Sequence, residues 1–324
     1  MKFASLSIHF GLKLATSLLA VAGSVVILLS LTRLIPGDPA TVILGSRATP
    51  EAVALLNSRM GLDKPLFDQV MGFLARLLCG DLGQDIFNGR PVSSLVGAAL
   101  PNTVALAICA IAVAIILGVP LALVSARFAG GRVDRLIAFF SIGFISTPSF
   151  VVSIFMLMLF AVTLRWFPVL GAGDDGNLAD QLWHLVLPTL ALAAGWVGYI
   201  ARLLRSSLLE VLTENHIRTL RAYGISEAKI LMKYALKPAA LPTIAVLGMG
   251  FGELLGGAVF AEVIFNRPGL GSLVYDAIRT RNYPVVQGGV FVIVSLYVLT
   301  NLISDFSQSL IDPRERTRLV SGRA

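Results

Sequence analysis

The chain has 324 residues, of which 56% are hydrophobic and 14% charged, and its mean hydropathy is +0.82. Soluble globular proteins carry about 25% charged residues, so this composition excludes a soluble globular fold and indicates a membrane protein. The net charge of +7 would suit nucleic-acid binding, but the basic residues lie beside apolar runs and form no stripe interleaved with aromatic residues.

The cysteines and histidines define no disulfide framework and no metal site. Cys79 lies in a polar loop and Cys109 in an apolar run, so no disulfide is expected between them. His9, His184 and His216 lack metal-ligand spacing and are interpreted as surface or interfacial residues. No lysine follows a glycine as GxxxxGK requires, and neither HExxH nor GxSxG occurs. The sequence therefore predicts no catalytic residue, no cofactor and no metal.

The N-terminal part predicts one membrane span. Its apolar stretch continues from Lys13 through Leu31, which is too long for the core of a signal peptide, so we predict a retained first span. Pro36, Gly37 and Pro39 are expected to stop this helix.

A polar section, residues 36–100, follows the first span. Thr49-Pro50-Glu51 predicts the start of a helix and Gly61 its end, while Pro65 and Gly80 bound a second, amphipathic helix. We interpret these helices as a small cap outside the membrane, and the residues leave open whether it only packs or also contacts a ligand.

Five further apolar runs are each long enough to cross a bilayer as a helix. They lie at about 102–124, 137–163, 183–203, 240–263 and 286–309. Thr147-Pro148-Ser149 predicts a kink in the third span, and Pro188 predicts another near the start of the fourth. The predicted fold is an all-α polytopic membrane protein with six transmembrane helices.

The distribution of basic residues predicts the orientation. Sixteen of the 26 Lys and Arg residues lie in the N-terminus, 125–136, 202–238 and the C-terminal tail, and ten lie in the segments on the other side. Because cytoplasmic loops are enriched in Lys and Arg, both termini are expected in the cytoplasm. Arg202 and Arg205, at the end of the fourth span, are interpreted as interfacial anchors.

A basic segment from Arg218 to Thr243 joins the fourth and fifth apolar runs. Gly224 interrupts its helical pattern and Ser226 can cap a second helix, so the pattern predicts two short helices with a bend at or below the membrane surface. The residues alone leave open whether this segment does more than fix the topology.

The fifth span is rich in glycine and contains one acidic residue near its middle. Gly248, Gly252 and Gly256 form two overlapping GxxxG steps, which allow close helix packing, either within this chain or against a second membrane subunit. A carboxylate at the depth of Glu253 costs about 3 kcal/mol to insert, so it needs a compensating group. That group is either a cation of the substrate or a neighbouring polar group of the bundle.

The basic segment carries a pattern that resembles a known family. The pattern R-T-x-R-A-x-G-x-S resembles the coupling loop of the membrane subunits of ATP-binding-cassette (ABC) importers, most closely the peptide/nickel permease family. Its members here are Arg218, Thr219, Arg221, Ala222, Gly224 and Ser226. Arg218 and Thr219 follow the peptide-permease branch, where the wider importer consensus has Glu and Ala.

Further segments resemble landmarks of the same family, in family order. They are RLIPGDPA, GLDKPLFDQ, GDLGQDI, LPNTVALA, FNRPGLG, NYPVVQG and the terminal DPR. The resemblance therefore covers nearly the whole chain. Asn282 stands where the family usually has Asp before Tyr-Pro.

The resemblance implies a type I ABC importer transmembrane domain with an N-terminal extracytoplasmic helical insertion. Residues 1–95 would hold the first transmembrane helix and the periplasmic insertion. Residues 96–310 would form the transmembrane domain of five helices, with its cytoplasmic coupling loop at about 213–238, and residues 311–324 a cytoplasmic tail.

The resemblance also implies a non-catalytic, multi-pass permease subunit in the bacterial inner membrane. It would work with a second homologous permease subunit, two cytoplasmic ATP-binding subunits and a periplasmic or extracellular solute-binding protein, and it would have no nucleic-acid partner. ATP-driven closure of the ATPases would pull on the coupling loop and tilt the spans between outward- and inward-open states.

The cargo that the family implies is a di- or oligopeptide, or nickel as a metal chelate. Glu253, Gly252 and Gly256 are the candidates for the translocation path, and a Glu in this glycine-rich setting resembles the nickel-type branch more than typical dipeptide members.

Two other classes of protein were weighed as alternatives. A secondary transporter driven by an ion gradient usually shows inverted repeats and more charges inside the membrane than Glu253 alone. A non-transporting membrane scaffold would have no use for a coupling loop.

The charge distribution generates a prediction about topology. In single-cysteine variants, positions 63 and 174 should react with a membrane-impermeant thiol reagent in intact cells, because they lie on the side poor in Lys and Arg. Position 226 should react only after the membrane is opened. Labelling of position 226 in intact cells would contradict the orientation.

Overall fold

The computed structural model of the protein describes residues 2–34, 38–174 and 176–311. Regular structure in these ranges is helical, apart from one isolated β-bridge between Gln84 and Pro91. The predicted helix stop at Pro36 and Gly37 and all but the first residue of the predicted tail lie outside the described residues.

The α-helices follow one another along the chain with short connections. They are α1 (Lys2–Leu34), α2 (Pro39–Leu44), α3 (Pro50–Met60), α4 (Leu66–Leu78), α5 (Val92–Arg127), α6 (Arg132–Ser146), α7 (Ser149–Met156), α8 (Leu178–Leu212), α9 (Asn215–Ala222), α10 (Glu227–Lys229), α11 (Leu236–Ile264), α12 (Leu270–Arg279) and α13 (Tyr283–Ile311). Two π-helical stretches, Leu157–Thr163 and Ile230–Ala235, extend α7 and join α10 to α11.

Five helical stretches are long and apolar enough to cross a membrane: Lys13–Leu31, Val92–Arg127, Leu178–Leu212, Glu227–Ile264 and Tyr283–Asp305. The pair Arg132–Ser146 and Ser149–Thr163 passes the same test together and is bent by 105°. Counting that pair as one span, the described residues contain the six predicted spans, and the all-α fold is confirmed.

The break between α6 and α7 is sharper than the predicted kink. Thr147 has an extended backbone, with φ −92° and ψ 122°, because a residue that precedes proline avoids the α-helical region. Pro148 also lacks the N–H that would continue the helical hydrogen bonds. By contrast, Pro188 lies inside the uninterrupted helix α8.

The helices form two compact units. One holds the described residues up to Thr103 together with those from Pro268 onward, and the other is Val104–Arg267, so the boundary falls within α5. The domain division at residue 95 that the sequence suggests stays a prediction.

In the first unit, α1 packs against α13 and α4. Val25 and Leu29 of α1 are buried with Phe73 of α4, whose ring meets that of Phe291 edge to face at 6.2 Å. The predicted amphipathic helix of the insertion therefore packs its apolar face against the first and last spans.

Four of the landmark motifs meet in pairs within this unit. Asn282 donates from Nδ2 to the buried carboxylate of Asp85 at 2.7 Å, which joins GDLGQDI to NYPVVQG. Thr103 Oγ1 accepts from the backbone N–H of Leu270 at 2.8 Å, which joins LPNTVALA to FNRPGLG. In each of these contacts, one motif supplies the hydrogen-bond donor and the other supplies the acceptor.

In the second unit, α8 packs against α6, α7 and α11. Small residues make the close approaches: a Cβ atom added at Gly198 would lie 2.6 Å from the backbone oxygen of Ser141, and one at Gly118 would lie 2.9 Å from the side chain of Ile200. Close packing of this kind is a main source of attraction between helices in a bilayer, where the surrounding lipid is as apolar as the side chains.

The packing of α6 on α8 generates a prediction about stability. Gly198→Ala is expected to lower the melting temperature of the purified chain in detergent, because the added methyl group overlaps the Ser141 backbone and overpacking costs about 1–3 kcal/mol. Gly143→Ala on α6 is the matched control, since nothing lies within 4 Å of a Cβ atom there. Equal losses for the two variants would contradict this account of the packing.

Candidate functional site

The basic segment begins with helix α9 and a turn centred on Gly224. Gly224 has φ +76°, a left-handed conformation that glycine adopts without strain, and its N–H donates to the Arg221 carbonyl at 2.9 Å. The N–H of Ile225 donates to the Leu220 carbonyl at 3.2 Å and completes the helix end. The predicted bend at Gly224 is therefore present.

After the turn, the structure differs from the predicted second short helix. The helix that begins at Glu227 continues through the π-helical stretch into α11, so Glu227–Ile264 is one helical stretch of 38 residues. No glycine or proline occurs between Ser226 and Lys237 to end the helix, and the helix then continues through Pro238 and Pro242. Ser226 occupies the N-cap position, but its side chain makes no capping hydrogen bond.

The inner face of the segment is apolar and packs on the ends of two spans. Ile217 and Ile230 are fully buried, and they share one core cluster with Leu204 and Leu208 of α8 and Ala126 of α5. We call this cluster, together with Leu231, Ala235, Ala239, Ala122 and Val211, the inner apolar cluster. It fixes α9 and the start of the long helix to the ends of α5 and α8.

The outer face of the segment is exposed and basic. Its exposed residues are Arg218, Thr219, Arg221, Ala222, Tyr223, Gly224 and Ser226, which include every member of the coupling-loop pattern. Tyr223 was not singled out from the sequence, yet its side chain is 80% exposed. The signal available in the sequence was an aromatic residue next to the glycine of a predicted turn, because aromatic residues are enriched where proteins contact partners.

Arg221 differs from the rest of the outer face because it braces the turn. Its guanidinium donates to both carboxylate oxygens of Glu227, at 2.7 and 3.2 Å, and to the backbone oxygen of Leu212 at 3.3 Å. The hydrogen bonds with Glu227 raise the pKa of Arg221, so the guanidinium stays charged. Arg221 therefore holds the two sides of the Gly224 turn together.

A buried carboxylate lies in the same unit, near the start of α6 and the end of α5. Asp134 is 4% exposed and accepts a forked pair of hydrogen bonds from Arg205, both at 2.6 Å. It also accepts from Ser125 Oγ at 2.5 Å and from the backbone N–H of Gly130 at 2.8 Å. The four bonds tie α5, α6 and α8 together, so Arg205 has a specific partner 71 positions away that the sequence did not reveal.

The structure places the three path candidates of the fifth span on different sides of α11. Glu253 and Gly256 are exposed in the subunit, whereas Gly252 is buried. Met249 and Phe260 continue the exposed face one turn before and one turn after, at 49% and 53% exposure. We call these four exposed positions, 249, 253, 256 and 260, the open face of α11.

One close contact between α8 and α11 involves a glycine outside the GxxxG pattern. A Cβ atom at Gly250 would overlap the indole ring of Trp196, so only glycine admits this ring. Gly252 and Gly250 thus serve the interior of the subunit, while Gly256 has nothing within 4 Å of a Cβ position.

Comparison with known proteins gives matches along almost the whole chain. The family described as "Binding-protein-dependent transport system inner membrane component" matches residues 118–317, and the N-terminal family of the same membrane components matches residues 12–107.

Individual relatives cover most of the chain. The probable peptide ABC transporter permease protein of Sinorhizobium fredii is 39% identical over 305 residues, which are 94% of this chain and 97% of that protein. The dipeptide transport system permease protein of Alkalihalophilus pseudofirmus is 36% identical, over 90% of this chain and 94% of that protein. The glutathione transport system permease protein of Pectobacterium atrosepticum is also 36% identical, over 87% of this chain and 90% of that protein.

A solved structure shares the fold. An inward-facing structure of the MetNI methionine ABC transporter matches with a TM-score of 0.55 and 19% identity. The match covers 67% of this chain and 96% of that chain.

The Asp134 cluster generates a prediction about stability. Asp134→Asn and Arg205→Gln should each lower the melting temperature of the purified chain, because the first leaves the partly buried guanidinium and the second the buried carboxylate without its ionic partner. The double variant should lose less than the sum of the two losses, since the two side chains act as one unit. Arg202→Gln, at an exposed position one turn away, is the control. Additive losses would show that the pair is not coupled.

Proposed function

Because the chain belongs to the family of binding-protein-dependent transport system inner membrane components, we propose that it forms one half of the translocation path of an ATP-driven importer for short peptides. It is a permease subunit of an ABC importer, as its relatives are. The relatives are named for peptides, dipeptides and glutathione, and these names favour a peptide over nickel as the cargo.

The partners follow from what the chain lacks. Its sequence has no phosphate-binding loop, so the energy of ATP must enter through other subunits. We infer two ATP-binding subunits on the cytoplasmic side, a second permease and an external solute-binding protein. This chain then catalyses no reaction, resides in the bacterial inner membrane and has both termini in the cytoplasm.

The coupling role is carried by one observation: the basic segment has an exposed outer face and an inner face locked into the bundle. The ATPase subunit would contact the outer face, around Arg218, Thr219 and Tyr223. Because Ile217 and Ile230 are buried in the inner apolar cluster, a push on α9 moves the ends of α5 and α8 with it. A loop without this apolar face would absorb the same displacement by bending.

The continuity of the fifth span extends this coupling into the membrane. The stretch Glu227–Ile264 has 38 residues, which at a rise of 1.5 Å per residue give a rod of about 55 Å. One end carries the turn that docks on the ATPase, and Glu253 and Gly256 lie on the same rod. Movement of the turn therefore shifts the open face of α11 directly.

We assign the open face of α11 to the translocation path. A carboxylate that faced lipid at this depth would be costly, so Glu253 requires water or protein in front of it. Gly256 adds no side chain to that face. Gly252 is buried on the side of α11 that packs within the subunit.

The coupling role generates a prediction for Gly224. Gly224→Leu should insert and assemble normally, because nothing within the subunit lies within 4 Å of a Cβ atom there, but ATP hydrolysis by the assembled complex should no longer drive uptake. Gly224→Ala has the same strained φ of +76° with little bulk, so it should lose less.

Gly61→Leu is the control for backbone strain. Gly61 ends α3 with φ +67°, and nothing lies within 4 Å of a Cβ atom there, as at Gly224. It lies outside the basic segment. The measurement is the ratio of peptide taken up to ATP hydrolysed in proteoliposomes. A normal ratio for Gly224→Leu would refute the coupling role.

A further inference from the structure

Two aromatic rings lie beside the open face of α11. Trp196 of α8 rests on Gly250, where no other residue would leave room for its ring. Tyr199, one turn further along α8, meets Trp196 edge to face with 5.6 Å between the ring centroids. Tyr199 is 40% exposed, so the aromatic pair is not enclosed within the subunit.

Glu253 lies three residues after Gly250 on α11, turned from it by about 60° toward the open face. Side chains three residues apart on a helix have Cβ atoms about 5–6 Å apart, and helical side chains lean toward the N-terminus of their helix. The Glu253 side chain therefore leans back toward the turn that carries the Trp196 ring. Trp196 and Tyr199 are near the middle of the stretch Leu178–Leu212, and Glu253 lies 11 residues before the end of the stretch Glu227–Ile264.

We propose that Glu253, Trp196 and Tyr199 form a subsite for the α-ammonium group of a peptide in transit. A carboxylate supplies an opposite charge, and the faces of Trp and Tyr attract a cation through their ring quadrupoles, Trp most strongly. The inference rests on the proposed peptide cargo and adds which end of the peptide this subunit binds.

The same groups do not suit a metal ion. Glu253 offers one carboxylate, whereas Ca²⁺ and transition metals require several oxygen, nitrogen or sulfur ligands at once. No group of three or more His, Cys, Asp or Glu residues in the described part of the chain is placed to hold a metal ion. An organic cation needs only one anion and a π surface, and every unmodified peptide carries such a cation at its N-terminus.

Gly256 provides a reporter position within the proposed path, beside the three residues of the subsite. It lies one turn beyond Glu253, and nothing within 4 Å would meet a Cβ atom, so a cysteine fits there. The natural cysteines, Cys79 and Cys109, are replaced by serine. The full transporter complex bearing Gly256→Cys is then treated with aminoethyl methanethiosulfonate, in the absence or presence of trialanine.

Trialanine should slow the modification of position 256, whereas N-acetyl-trialanine, which lacks the ammonium group, should not. Glu253→Gln keeps the shape of the side chain but not its charge, so it should raise the trialanine concentration needed for half protection by about tenfold, which corresponds to 1.4 kcal/mol. An N-acetylated peptide that carries a lysine side chain should protect less than trialanine. This comparison distinguishes binding of the α-ammonium group from binding of a side-chain ammonium group.

Variants of the aromatic residues test their part in the subsite. Trp196→Phe should weaken protection by trialanine, because Phe is the poorer cation-binding ring. Phe139→Leu changes an exposed aromatic residue of α6, outside the open face of α11 and the aromatic pair, and should leave protection unchanged.

Three results would overturn the subsite: equal protection by the two trialanines, unchanged protection in Glu253→Gln, or a cysteine at 256 that does not react in the assembled complex. If ATP-dependent uptake of trialanine persists in any of these cases, peptide import stands without the subsite. If the assembled complex imports no peptide at all, the proposed cargo is wrong and the subsite falls with it.

Discussion

The proposed mechanism depends on one interaction, the burial of the apolar face of the basic segment in the inner apolar cluster. Ile217, Ile230 and Leu231 bury their side chains against Leu204 and Leu208, so α9 is part of the bundle although its outer face is basic and exposed. We propose that the segment therefore moves together with the helix ends it covers. The Arg221–Glu227 ion pair joins the two sides of the turn itself.

Charged groups in the spans divide into two kinds. Asp134 is enclosed by Arg205, Ser125 and Gly130, and Lys13 pairs with Asp305 at 2.7 Å between α1 and α13. These groups are satisfied within the subunit and hold helices together. Glu253 is instead exposed in the subunit, and we propose that its compensating group comes from outside the chain.

Glycine has opposite uses along the fifth span. Gly250 admits the ring of Trp196, and Gly252 is buried in the bundle, so both serve close packing. Gly256 leaves its side of the helix bare. The GxxxG spacing predicts the same role for Gly252 and Gly256, because residues four apart lie on nearly the same side of a helix. In the structure, that side lies at the border between the packed side of α11 and its open face, so the two glycines differ in exposure.

The number of spans and the bend at Gly224 could be predicted from the sequence, because run length, hydropathy and backbone freedom are local properties of the chain. The partner of Arg205, the ring over Gly250 and the side on which Gly256 lies were decided only by tertiary structure. Each depends on which helices become neighbours and on their rotation about their axes, and uniformly apolar helices carry little periodicity that would indicate that rotation. The 105° break at Pro148 lies between the two cases: proline predicts a disturbance locally, but the packing of α6 and α7 on α8 sets its size.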